Sequence, residues 1–135
     1  MSVLKCIHHI NFIVADLDSA VDAYQRTLGL GPFEYEDLAE RDVATARVRI
    51  GDAWIVLISP RSKDSAVAHH LETHGEGFFL MSFGVDNLDK AMAELARKGA
   101  SQADTKVRTG FLGWQVADLD TEENLGAKFH VTEVK

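Results

Sequence analysis

The sequence predicts an α+β fold made of two β-α-β-β-β modules, and three observations carry that prediction. Residues 9–26, "HINFIVADLDSAVDAYQR", align with residues 80–97, "LMSFGVDNLDKAMAELAR", giving six identities in 18 positions at a constant offset of 71. Each copy passes from strand-like alternation to helix-like spacing of apolar residues at the same point. Each helix is then followed by β-rich sequence, clearest in "VATARVRIGDAWIVLIS", which alternates on both sides of a Gly51-Asp52 turn.

The first strand lies in "IHHINFIV". Alternation puts Ile10, Phe12 and Val14 on the face that packs beneath a helix, and His9, Asn11 and Ile13 on the other. By the same parity His8 belongs to the helix side, half exposed near the strand's start. Asp16 can cap the helix that follows, whose apolar stripe is Leu17, Val21, Tyr24 and Leu28, and Gly29 stops it. The hairpin through Gly51 supplies further strands, with Trp54, Val56 and Ile58 on the helix-free face. "SKDSAVAHHLETHGEG" reads as a short connecting helix stopped at Gly75. In the second copy Met81, Phe83 and Val85 match the helix-side residues, while Phe78, Leu80 and Ser82 join the helix-free face. Asn87 is the cap, Leu88, Met92 and Leu95 form the stripe, and Gly99 is the stop. "GASQADTKVRTGFLGWQVADLD" and "GAKFHVTEV" supply the remaining strands.

Composition narrows the function. At 135 residues and 46% hydrophobic, the chain can bury a core as one domain. A formal charge of −7 argues against a nucleic-acid partner. Cys6 is the single cysteine, which removes internal disulfides and thiol-rich zinc sites. No run approaches the roughly 18 apolar residues of a membrane span. The start "MSVLKC" has no signal-peptide character, so the expected location is cytoplasmic, without a membrane partner.

The paired modules opening with "HHINFIVADLDSAVDAYQRTLGL" resemble the vicinal oxygen chelate superfamily of glyoxalase I, extradiol dioxygenases and bleomycin-resistance proteins. Within it, "LISPRSKDSAVAHHLETHGEGFF" and the closing "VADLDTEENLGAKFHV" look most like the methylmalonyl-CoA epimerase branch. The resemblance implies one glyoxalase-like domain over 1–135, with modules 5–60 and 77–134 and a helical connector over 61–76. The two modules would form one eight-stranded, half-open barrel around a cavity. The ligand it implies is a small organic molecule or an acyl-CoA, and such folds commonly form homodimers, with Trp114 and Phe111 as candidate contacts.

The resemblance also implies a divalent metal held by four side chains, one from each of four strands. His9 keeps the first ligand position, and His130 stands at the last, where the family has Glu. Val56 and Leu80 occupy the other two, and neither donates a lone pair. Asn11, Thr132, Glu36 or Glu40 would have to supply a third donor. A divalent ion is therefore a possible cofactor, with no tightly bound metal the stronger expectation. Glu40 matches the branch's proton-shuttling carboxylate, and His9 and His130 could act as acid and base because imidazoles titrate near neutrality. Asn11, Trp54, Val56, Phe78, Leu80, Ser82 and Thr132 are the expected pocket lining. His8, His69, His70 and His74 are expected at the surface, with His70 and His74 one helical turn apart as a possible adventitious metal patch. Two functions fit these residues. One is an epimerase-, isomerase- or lyase-like enzyme transferring a proton next to a carbonyl, the other a metal-free binding or sequestration protein of the bleomycin-resistance type.

Overall fold

The repeat's helices form where their caps and stripes place them. A computed structural model describes residues 2–100, 108–109, 113–119 and 126–134. In chain order the elements are β1 (Cys6–Ile13), α1 (Leu17–Leu28), β2 (Glu34–Leu38), a 3₁₀ turn (Ala39–Arg41), β3 (Val43–Ile50), β4 (Ala53–Pro60) and α2 (Ala66–His74). They continue with β5 (Gly77–Val85), α3 (Leu88–Arg97), β6 (Arg108–Thr109), β7 (Gln115–Asp118) and β8 (Phe129–Glu133). The architecture is α+β. The chain forms two compact units, one of Ile10–Phe79 and one of Met1–His9 with Leu80–Lys135. No helix among the described residues is long and apolar enough to cross a membrane.

In the Ile10–Phe79 unit, the Asp16 side chain accepts the Ser19 N–H at 3.1 Å, and Gly29 closes α1 in the left-handed conformation at φ 67°. The α1 stripe packs on the sheet through Val21, Leu17 and Tyr24, against Phe12, Val14, Ala46, Val48, Ile55 and Leu57. Leu28, expected on that stripe, is 64% exposed in the last turn. The hairpin forms as read, with β3 antiparallel to β4 and Ile50 opposite Ala53 across the Gly51-Asp52 turn. Strand β2 adds to β3, Glu34 facing Arg47 and Glu36 facing Thr45. Strand β1 lies on the far side of β4, where the Val14 N–H donates to the Ile58 carbonyl at 2.9 Å. The connector is α2, capped by Ser65 and ended by Gly75.

In the other unit the order is β5-β8-β7-β6, with β5 parallel to β8 and β8 antiparallel to β7. Asn87 caps α3 by accepting the Lys90 N–H at 2.9 Å. The helix is capped at Lys98, one residue before the glycine expected to stop it. Leu88, Ala91, Met92 and Leu95 bury against Val85, Ala117 and Val131. Gly84 of β5 is fixed by crowding. A Cβ there would lie 2.6 Å from the Cys6 Sγ and 2.8 Å from the Val134 Cγ2. Gly84→Ala is expected to destabilise the protein by about 1–3 kcal/mol, as overpacking does. A lowered thermal midpoint, partly restored by adding Cys6→Ala, is the result to look for.

Candidate active site

Because each helix covers one sheet face, the residues of opposite parity share the other. In the Leu80–Lys135 part, Val85, Ala117 and Val131 pack under α3, so Leu80, Ser82, Val116, Asp118, His130 and Thr132 point away from it. Asp118 and His130 are directly opposed on β7 and β8. The Asp118 Oδ1 lies 2.5 Å from the His130 Nε2, with His130 only 2% exposed. In this short contact the Nε2–H of the ring donates to the carboxylate, which fixes the orientation of the imidazole. Next to it, the fully buried Ser82 and Thr132 hydroxyls hydrogen-bond each other at 2.5 Å, one donating and the other accepting.

A second imidazole group lies in the same unit. His8 and His9 are both buried, with their Nδ1 atoms 2.9 Å apart. The His9 ring stacks on Trp114 at 5.1 Å between centroids, and the His8 ring meets that indole edge-on at 4.4 Å. One Nδ1 must donate and the other accept, so two imidazolium rings cannot face each other here. This corrects the expected surface position of His8. Strict alternation fails at this step, where two consecutive residues are buried, and it fails at the equivalent step of the repeat, Phe79 and Leu80.

That break also moves Phe78. Parity grouped it with Leu80 in the pocket lining, but it is 55% exposed and lies edge-on to Phe12 at 6.2 Å. Phe79 is the buried one, with its ring 4.7 Å from that of His70. His69 and His74 are exposed as expected, while His70 is half buried and stacked on His74. Trp114, expected as a contact between copies, is spent on the two histidines within the chain. Phe111 lies outside the described residues.

In the Ile10–Phe79 unit, Ala46, Val48, Ile55 and Leu57 pack under α1, so Thr45, Arg47, Trp54, Val56 and Ile58 present the helix-free face. Asn11 shares that face on β1, since Phe12 and Val14 enter the helix-side core. Asn11 is 4% exposed, and its Oδ1 has no hydrogen-bond partner among the described residues. Arg47 is 5% exposed, bonded through Nε to the Glu34 Oε2 at 3.1 Å and lying 4.9 Å above the Trp54 ring. Glu40 sits exposed in the 3₁₀ turn. Glu36, on β2, keeps one carboxylate oxygen 4.0 Å from the Arg47 guanidinium.

The residues do not fit the implied metal. Val56 and Leu80 are buried hydrocarbon at two of the four ligand positions. Among the described residues, no three His, Cys, Asp or Glu side chains cluster as a metal site requires. What the arrangement can do is accept and return protons: a buried imidazole oriented by a carboxylate is suited to that work.

Two residues of this arrangement escaped the sequence reading. Asp118 was hidden because its partner lies across a strand pair, although its parity with Trp114 and Val116 could have placed it on the same face. Arg47 stood in "ARVRI" as one of two alternating cations on a strand, a pattern that more often marks a solvated face than a buried guanidinium.

The chain is similar to several known proteins. An uncharacterised Bacillus subtilis protein, YqjC, is 27% identical over 129 residues, covering 96% of this chain and 92% of its own length. The human mitochondrial methylmalonyl-CoA epimerase is 27% identical over 118 residues, covering 87% of this chain and 67% of that protein. A Streptomyces coelicolor methylmalonyl-CoA epimerase variant, solved in complex with 2-nitronate-propionyl-CoA, superposes with a TM-score of 0.90 at 28% identity, covering 96% of this chain and 97% of that one. Residues 8–117 match the profile of a single family, and the chain belongs to the glyoxalase/bleomycin resistance protein/dioxygenase superfamily.

Proposed function

We propose that the protein is an epimerase- or isomerase-type enzyme that moves a proton on the carbon next to a thioester carbonyl, with an acyl-CoA as substrate. The observation that carries the reading is the buried His130–Asp118 pair. The likeness to epimerases that bind methylmalonyl-CoA and a related acyl-CoA supports the substrate class. The same likeness, over 96% of the chain, supports the sequence-derived organisation as a single half-open-barrel domain.

In this mechanism the His130 Nδ1 takes the α-proton. The C–H electron pair passes to the thioester oxygen as an enolate, and Asp118 balances the imidazolium charge. Returning a proton to the opposite face of the carbon inverts the centre, and the His8–His9 pair is the candidate donor. Asp118 acts by positioning and by charge; it touches no substrate. Glu40 remains a second candidate for the base, from the exposed turn. Ser82 and Thr132 shape the floor of the site. A divalent ion would supply Lewis acidity to the enolate in the implied family site, but the donors here do not favour one.

A second reading, a metal-free binding protein, draws on the buried Val56 and Leu80 and on the aromatic Trp54 and Trp114. The two separate in one experiment. A single enantiomer of an α-methyl-branched malonyl thioester of CoA should lose its circular dichroism when incubated with the enzyme. Saturable binding with an unchanged signal would favour sequestration.

A further inference from the structure

Three of the six histidines lie on α2, and the mechanism above uses none of them. Two of the three are paired. His70 and His74 are four residues apart, a spacing that sets them one above the other on a helix. Their rings stack with centroids 4.5 Å apart and planes at 21°. His69 is exposed and lies about 100° around the helix from His70, on a different face.

The helix that carries the pair is closed at both ends. The Ser65 side chain accepts the Ala68 N–H at 3.0 Å, and the Gly75 N–H donates to the Leu71 carbonyl at 2.8 Å. His70 is half buried, and its ring meets that of the buried Phe79, on β5, at 4.7 Å and 64°. That contact restricts the imidazole before any ligand arrives, which lowers the entropy cost of holding one. His74 is exposed in the last turn, where the helix dipole favours added positive charge. An ion bound at about 2.0–2.1 Å to each of two nitrogens holds those nitrogens about 3 Å apart. Rings with centres 4.5 Å apart reach that spacing by turning about χ2, a soft torsion in histidine.

We propose that His70 and His74 form a two-imidazole chelate for a transition-metal cation on α2, holding Cu²⁺ most tightly and Zn²⁺ less so. Neutral imidazoles suit this class of ion rather than Mg²⁺ or Ca²⁺, and the order follows the general ranking of divalent ions on nitrogen donors. Among the described residues no third His, Cys, Asp or Glu joins the pair. The chelate is thus distinct from the closed site of a structural zinc and from the three-ligand site of a catalytic one. It stands apart from the reaction and is independent of the acyl-CoA reading. Its effect falls on α2, whose last turn a shared ion ties together.

Calorimetric titration of the whole chain with Cu²⁺ and with Zn²⁺ tests it. Wild-type protein should bind one ion per chain, Cu²⁺ more tightly than Zn²⁺. His74→Gln changes an exposed side chain and should weaken Cu²⁺ binding by about 10²-fold, the low end of what a second tethered contact adds. His70→Gln should match it, and the double variant should lose no more than either single one, because a lone imidazole is no chelate. His69→Gln, adjacent in sequence but on another face, should leave the affinity unchanged. Saturating Zn²⁺ should raise the thermal midpoint of the wild type and not that of the double variant. Wild-type protein that binds neither ion, a His74→Gln variant that binds as the wild type does, or a His69→Gln variant that loses as much would each overturn the proposal. So would binding abolished by His9→Ala and kept by His74→Gln, which would put the ion at the position implied by the family.

Discussion

Replacing His130 by Ala is expected to slow proton exchange at the acyl-CoA α-carbon by about 10²–10⁴-fold, the usual worth of a general acid–base group. Acyl-CoA affinity should stay within a few-fold of the wild type, because the imidazole acts on the reacting carbon rather than on the bulk of the ligand. The split between kcat and binding is the diagnostic feature. Asp118→Asn should follow the same direction with a smaller loss. Its amide nitrogen can donate to the His130 Nε2, which turns the ring to the other tautomer and places a proton on the nitrogen meant to accept one. Added imidazole should partly restore activity to the His130→Ala variant, an outcome that a merely structural histidine would not give.

A second large effect concerns the sheet on which the site is built. Leu57 is fully buried on the helix side of β4, among Val14, Val21, Ala46 and Val48. Leu57→Ala removes three methyl-sized groups from that cluster, and the expected cost is about 2–5 kcal/mol. For a domain of ordinary stability, about 5–15 kcal/mol, such a loss is a large fraction of the whole. Chemical denaturation should show a lower midpoint at unchanged slope. Leu28→Ala is the matched control. That leucine carries the helical spacing of a core residue yet is 64% exposed, so its truncation should change stability by no more than about 0.5 kcal/mol.

The repeat made much of the fold legible, because its signals are local. Asp16 and Asn87 stand at the same step of both copies and both cap helices. The Gly51-Asp52 turn joins two strands whose register follows directly from it. Parity sorted most residues correctly between the two faces of each sheet. It failed where burial is not set by alternation alone: at His8 and His9, and at Phe79 and Leu80, two neighbours on a strand are both covered. Trp114, which packs on both histidines, lies far along the chain, and His70, which meets Phe79, sits on the short helix just before β5. The site was legible to the same extent. Ser82 falls on the helix-free face its parity gives, with Thr132 hydrogen-bonded beside it, whereas the partner of His130 and the burial of Arg47 depend on strand pairing that no short stretch encodes. The family's ligand pattern is broken at Val56 and Leu80, as the sequence indicated, and the proposed proton transfer rests on the hydrogen bonds that His130 and the His8–His9 pair make.

Deuterium incorporation from solvent into the α-position of a chiral acyl-CoA, followed by proton NMR, tests the central claim most directly. The account predicts that the purified protein catalyses wash-in under saturating ligand, and that the His130→Ala variant binds the same ligand while incorporating deuterium far more slowly. Wild-type protein that binds the acyl-CoA without exchanging its α-proton, or a His130→Ala variant that exchanges it at the wild-type rate, would contradict the account.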